Sequence, residues 1–201
     1  MVSKGEVNRC GSRLRDYRSG VLPLADPEEI AAAERVVREF RAGFQYPMRK
    51  TTVGLRQFVQ RESGSVIVAQ RLKRLPQIIH KLVRMPETNL ARMEDIGGCR
   101  AILANRDEVL RVLARIQKNA WNVKRVRDYA EQPKASGYRG VHVVIERDGH
   151  RVEIQLRTPG QQAWAEAVER TAGRFRLPLK DETGPEPVLR WLNLAAEGIA
   201  L

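Results

Sequence analysis

Cysteine and histidine are scarce: two cysteines, Cys10 and Cys99, and three histidines occur in 201 residues. Two cysteines cannot build a disulfide framework, and their scarcity points to a reducing cytoplasm. No Cys/His spacing suits zinc. No apolar run approaches the roughly 20 residues that cross a bilayer, so no membrane partner is expected. The opening residues Met1-Val2-Ser3-Lys4-Gly5-Glu6 lack the apolar stretch of a secretory signal. A Gly-x-x-x-x-Gly-Lys phosphate loop, a Rossmann glycine pattern, internal repeats and low-complexity segments are all missing. What the chain has in excess is positive charge.

There are 36 Lys plus Arg against 24 Asp plus Glu, a formal charge of +12. At 42% hydrophobic the chain can still bury a core, which excludes wholesale disorder. Residues 51–130 hold 16 basic and 7 acidic side chains, whereas residues 131–201 hold 10 of each. Residues 63–86 contain Arg71, Lys73, Arg74, Lys81 and Arg84 with no acid. Residues 109–127 contain Arg111, Arg115, Lys118, Lys124, Arg125 and Arg127, again with none. Such clusters imply a polyanionic partner, a polyphosphate, nucleotide or RNA, although a solvated basic face has the same composition.

Asp26-Pro27-Glu28-Glu29 opens a helix, with a capping carboxylate, a proline in the first turn and acids at the positive end of the dipole; Gly43 closes it. Further helices are expected over 52–61, 75–83, 107–118, 161–174 and 188–196. The helix over 107–118 buries Val109, Leu110, Val112, Leu113 and Ile116. Strands are expected over 65–69 (running into Arg71), 99–103, 121–129, 139–145 and 151–156. The turn Arg147-Asp148-Gly149 joins the last two as a hairpin. Strands interrupted by single helices describe an α+β fold, a mixed β-sheet flanked by helices.

If a strand ends near Arg71 and a helix follows, Arg71, Lys73 and Lys81 gather at one strand end. A guanidinium and two ammonium groups suit a triphosphate. Asp95, before Gly97-Gly98, is an oxygen donor for magnesium or else a turn cap. Alternation puts Glu153, Gln155 and Arg157 on one face of a strand, a polar row that lines a site or faces solvent. In Lys134-Ala135-Ser136-Gly137-Tyr138-Arg139-Gly140-Val141-His142 the two glycines allow close approach of a ligand, and Tyr138 offers a ring for stacking. Tyr138, Gly140 and His142 are expected on one strand face. His142 reads as a phosphate or base contact, or as a satisfied core residue.

Taken in order, Arg71-Leu72-Lys73 with Lys81, residues 95–100, Arg127-Asp128-Tyr129, residues 133–142 and residues 152–158 resemble the synthetase domain of the RelA/SpoT family. The resemblance implies a sheet distantly similar to nucleotidyltransferases. It also implies ATP-dependent transfer of pyrophosphate to a 3′-hydroxyl by a synthetase-only, small-alarmone-synthetase-like chain. Arg71 and Arg100 then hold the ATP adenine, and Lys73 and Lys81 its phosphates. Asp95 and Glu153 hold Mg2+, Glu153 also activating the hydroxyl. Tyr138 stacks on the acceptor base, joined by Arg127, Lys134, His142 and Gln155. Gly140, Arg127 and Gln77 stand where many nucleotide-using members carry serine, lysine and serine. The expected acceptor is therefore GDP or GTP, an adenine nucleotide, or the 3′-terminal adenosine of tRNA. For tRNA, Arg111, Arg115, Lys118, Lys124 and Arg125 would form an RNA patch. A toxin-like, growth-inhibitory member would be met by an antitoxin protein. The expected organisation is an N-terminal helical segment (1–50) packed on a pyrophosphokinase core (51–175), with a short C-terminal helical segment (176–201). The alternative is a non-catalytic RNA-binding protein on a synthetase scaffold. Two acids in a cationic site argue against it, because they repel phosphate unless a metal intervenes.

Overall fold

The computed structural model describes residues 2–63, 67–175, 177, 179 and 183–199. In chain order these form α1 (Lys4–Arg18), α2 (Pro27–Ala42), α3 (Gln45–Glu62), β1 (Ile67–Leu72) and α4 (Leu75–Arg84). A 3-10 turn (Leu90–Arg92), β2 (Gly97–Ile102), α5 (Arg106–Lys118), β3 (Asn122–Asp128) and β4 (Val141–Arg147) follow. The order ends with β5 (His150–Arg157), α6 (Pro159–Phe175) and α7 (Glu186–Gly198).

The α2 boundaries match the sequence expectation. Asp26 accepts a hydrogen bond from the Glu28 amide, Pro27 starts the helix and Gly43 caps it. Helix α1 has no counterpart among the expected elements, because its buried stripe is only Val7, Gly11 and Leu14 in a strongly polar sequence. Helix α3 begins seven residues before the expected 52–61, since Pro47 falls in its first turn, where a missing amide costs nothing. Part of the expected 65–69 strand, residues 65–66, lies outside the described residues, and β1 begins at Ile67. In α5 the expected stripe is buried except for Leu110, which is 39% exposed.

The five strands form one sheet in the order β1-β2-β5-β4-β3. Strands β4 and β5 are joined by the two-residue turn Asp148-Gly149 with φ of 50° and 76°, the left-handed pair that a type I′ hairpin requires. On β2 and β5, Gly98 lies against the Glu153 carbonyl while the Leu103 amide donates to the Arg157 carbonyl at 2.9 Å. The two contacts advance in the same chain direction, so this pair is parallel and the sheet is mixed.

The chain forms two compact units. The first comprises Met1–Thr52, Gln70–Cys99 and Glu146–Glu153. Its core joins Val7 and Leu14 of α1, Ala33 and Val37 of α2, Leu75, Ile78 and Leu82 of α4, and Met93 and Ile96. The second comprises Val53–Ala69, Arg100–Ile145 and Ile154–Leu201. There Trp164 and Val168 of α6 pack on Leu192 and Ala196 of α7, and the Trp164 indole N–H donates to the Leu192 carbonyl at 2.8 Å. Among the described residues no helix is long and apolar enough to cross a membrane.

Candidate active site

In the first unit Lys73 sits between the end of β1 and the start of α4. Its amide donates to the Ile96 carbonyl at 2.8 Å, which brings it beside Asp95 at the entry to β2. Lys73 Nζ is 2.7 Å from Asp95 Oδ2, and Lys81 Nζ, from the last turn of α4, is 2.9 Å from Oδ1. Burial works to raise the Asp95 carboxyl, but the charges of Lys73 and Lys81 and their hydrogen bonds outweigh it and hold the group below its ordinary value. Asp95 is therefore ionised at neutral pH, with an ammonium group on each oxygen. Arg71 points from β1 into solvent and donates to Gln77 Oε1 at 2.8 Å. Glu153 is half-buried on β5 beside Gly98, three residues along from Asp95.

Two carboxylates are what magnesium asks of a protein, since it fills its remaining positions with water and substrate phosphates. Asp95 and Glu153 are donors of that type, although Lys73 and Lys81 stand on the two Asp95 oxygens and among the described residues no group of three His, Cys, Asp or Glu side chains could hold a metal by itself. The Cys99 thiol is pushed up to about 12 by burial, which leaves no thiolate for nucleophilic chemistry.

In the second unit the hub is Arg157, only 8% exposed. It donates to Tyr138 Oη at 2.8 and 3.2 Å, to Gln155 Oε1 at 2.9 Å and to Gln162 Oε1 at 3.0 Å. Tyr138 Oη also makes a 2.5 Å hydrogen bond with His142 Nε2. Tyr129, Tyr138 and His142 meet edge to face with ring centroids 5.2–5.7 Å apart. Lys134 Nζ stands 4.9 Å from the Tyr129 ring centroid and 5.4 Å from that of Tyr138, and Arg127 donates to Tyr129 Oη at 3.2 Å. All five acceptor-side residues expected from the sequence, Tyr138, Arg127, Lys134, His142 and Gln155, thus belong to one network. Its connecting members, Arg157, Tyr129 and Gln162, were not among the expected site residues. The signal was present: Arg157 continues the polar row of β5, and an arginine on a buried strand needs partners.

Several expectations change. Tyr138 and Gly140 precede β4 instead of sharing a strand face with His142; the hydroxyl of Tyr138 bonds to His142 from the loop. Gly137 and Gly140, expected to admit a ligand, have φ of 83° and 146° and admit the protein itself. A Cβ at Gly137 would meet Ala196 and Asn193 at 2.8 Å, and one at Gly140 would meet Tyr138 Oη at 3.2 Å. Arg100 lies half-buried on β2 in the second unit, whereas Arg71 belongs to the first. An acid from elsewhere in the sequence joins the cations expected as an RNA patch. Glu62 of α3 pairs with Arg115 through its Oε1 (2.6 Å to Nε) and lies 3.6 Å from Arg111 Nε. Lys118, Lys124 and Arg125 remain exposed.

The model of the region found in RelA / SpoT proteins matches residues 70–172. The uncharacterized protein Rv1366 of Mycobacterium tuberculosis is 30% identical over 92% of this chain and 64% of its own length. The GTP pyrophosphokinase YwaC of Bacillus subtilis is 29% identical over 47% of this chain and 52% of its own. The chain therefore spans between half and two thirds of these relatives. Among solved structures, a GTP pyrophosphokinase family protein from Streptococcus pneumoniae is 26% identical with a TM-score of 0.68, covering 81% of this chain and 86% of that one.

Proposed function

The chain belongs to the RelA/SpoT family, and on that premise we propose that it is an ATP-dependent pyrophosphokinase acting on a purine nucleotide. The acceptor 3′-oxygen attacks the β-phosphorus of ATP. The bond from that phosphorus to the bridging oxygen of the α-phosphate breaks, AMP leaves, and the hydroxyl proton passes to Glu153. Lys73 and Lys81 hold the donor phosphates, with Arg71 at the adenine. Tyr138, Lys134 and Arg127 receive the acceptor base, and His142 and Gln155 accompany the transferring phosphates. Asp95 and Glu153 would hold magnesium, which when bound neutralises charge on those phosphates. No covalent intermediate is required, because positioning and charge compensation carry phosphoryl chemistry of this kind.

The observation that carries this reading is the pair of lysines on one ionised Asp95. A simple anion-binding surface gains nothing from a carboxylate that repels phosphate. A metal-assisted phosphate clamp needs both signs of charge. The names of the Bacillus subtilis and Streptococcus pneumoniae relatives support a guanine nucleotide as acceptor. The Glu62 pairs support a free nucleotide over tRNA, because they spend two of the five cations assigned to the RNA patch.

Incubation with γ-phosphate-labelled ATP and, separately, GDP, GTP, ATP and deacylated tRNA tests this. Label on a guanine nucleotide with stoichiometric AMP is expected. Label on tRNA or an adenine nucleotide alone would replace the acceptor. No label and no AMP would reject the enzyme.

A further inference from the structure

The geometry points to Arg41, in the last turn of α2, as a positioning residue for the ATP phosphate clamp. The inference rests on the donor role proposed above for Lys73, Lys81 and Asp95. Arg41 lies 29 residues before the matched family region, and its guanidinium meets the backbone of Lys73.

Its Nε donates to the backbone carbonyl of Lys73 at 2.6 Å in a part-buried, charge-assisted hydrogen bond. The amide of the same residue is already fixed to the Ile96 carbonyl at 2.8 Å. Lys73 is thereby held on both sides of its Cα, from α2 and from the entry of β2, while its ammonium reaches Asp95. A residue in the turn between a strand and a helix otherwise has no ladder to fix it.

The N-terminal helices secure the far end of the same segment as well. Arg15 of α1 donates to the Pro86 carbonyl at 2.8 Å, and Asn8 Oδ1 accepts from the Ala91 amide at 2.9 Å. These contacts bracket α4, which carries Lys81, between Lys73 and the approach to Asp95. Beneath them Val7, Leu14 and Val37 pack on Leu75, Ile78 and Leu82. The α1–α2 pair is thus a brace that sets the spacing of two ammonium groups and one carboxylate. A clamp displaced by a fraction of an ångström binds a polyphosphate less well without losing the fold.

Arg41→Gln should raise the KM for ATP by roughly tenfold, the scale of one charge-assisted hydrogen bond, and leave the acceptor KM within about twofold. Arg41→Lys, which keeps an N–H within reach of the carbonyl, should recover most of the loss. Arg38→Gln, whose exposed partner is Glu34 one turn away, serves as the unaffected control. If Arg41→Gln does not fold, Arg15→Gln carries the same test with an expected rise of about twofold. An unchanged ATP KM, or ATP and acceptor KM rising together, would overturn the positioning role while leaving the enzyme intact. Wild-type protein that binds no ATP analogue and forms no AMP would overturn both.

Discussion

In the first unit two lysines converge on one ionised carboxylate; in the second one buried arginine is surrounded by a phenol and two amides. Both hold cations at less than about a quarter exposure, yet they are built for different tasks. A lysine paired with a carboxylate can trade that partner for a phosphate oxygen at small net cost, because one anion replaces another. An arginine held by neutral oxygens has no such exchange to make. Its planar fork fixes three side chains at once, and burial keeps it there. The Lys73–Lys81–Asp95 cluster, the proposed donor side, is therefore exchangeable, and the Arg157 network, the proposed acceptor side, is preorganised around Tyr138.

The largest effect should come from the donor side. Asp95→Asn leaves Lys73 and Lys81 facing each other without a counter-charge and removes one of the two proposed metal donors. Transfer should fall by roughly 10²–10³-fold with the fold retained, and Glu153→Gln should do the same. Near-normal AMP formation by either variant would end the assignment. On the acceptor side, Arg157→Met should cost about 1–3 kcal/mol of unfolding free energy, since Tyr138, Gln155 and Gln162 all lose their donor. It should raise the acceptor KM and spare that of ATP; an equal change in both would mean that the two regions are not separable. Tyr138→Ala should lower acceptor kcat/KM by roughly tenfold, the scale of one base-stacking contact. Tyr138→Phe, which keeps the ring and loses the hydroxyl shared by Arg157 and His142, should fall between it and the wild type.

How far each region could be read from sequence follows the same division. Lys73 and Lys81 are legible as neighbours because strand, turn and helix bring them to one strand end, whereas their meeting on Asp95, 22 and 14 positions further on, is a contact across the fold. The α2 boundaries and the Asp148-Gly149 turn are legible for the same reason. The residues expected to receive the acceptor are legible one by one, but the network that joins them is not. Strand alternation puts Tyr138 and His142 on one face, whereas β4 begins only at Val141, after the positive φ of Gly140, and the tyrosine meets Arg157 from the loop before it. No pattern along the chain announces that return. Charge counting sees only neighbours in sequence. Glu62 lies 53 positions from Arg115, so a stretch without acids says nothing of the acids that the fold brings to it. Arg41 was invisible for the same cause, because its partner is a backbone carbonyl 32 residues away.

The smallest and most discriminating effect lies in the pH dependence of stability. The Asp95 carboxyl is held below its ordinary value: burial opposes this, and Lys73 and Lys81 prevail. A group whose pKa is lower folded than unfolded adds stability that is complete above its unfolded value, about 3.9. That stability drains away as the pH falls through the folded value. The gap in unfolding free energy between wild type and Asp95→Asn should therefore be constant near neutrality and narrow below about pH 4. Arg157 supplies the contrast, because Tyr138, Gln155 and Gln162 meet it through a phenol and two amides and not through a carboxylate. The gap between wild type and Arg157→Met should stay level over the same interval in urea unfolding at matched ionic strength. Two gaps that narrow together would mean that acid acts on a shared carboxylate elsewhere, and the distinction between an exchangeable and a fixed cation cluster would fall. A narrowing confined to Asp95→Asn would locate the acid-sensitive charge compensation in the donor clamp, where a bound polyphosphate would have to compete for it.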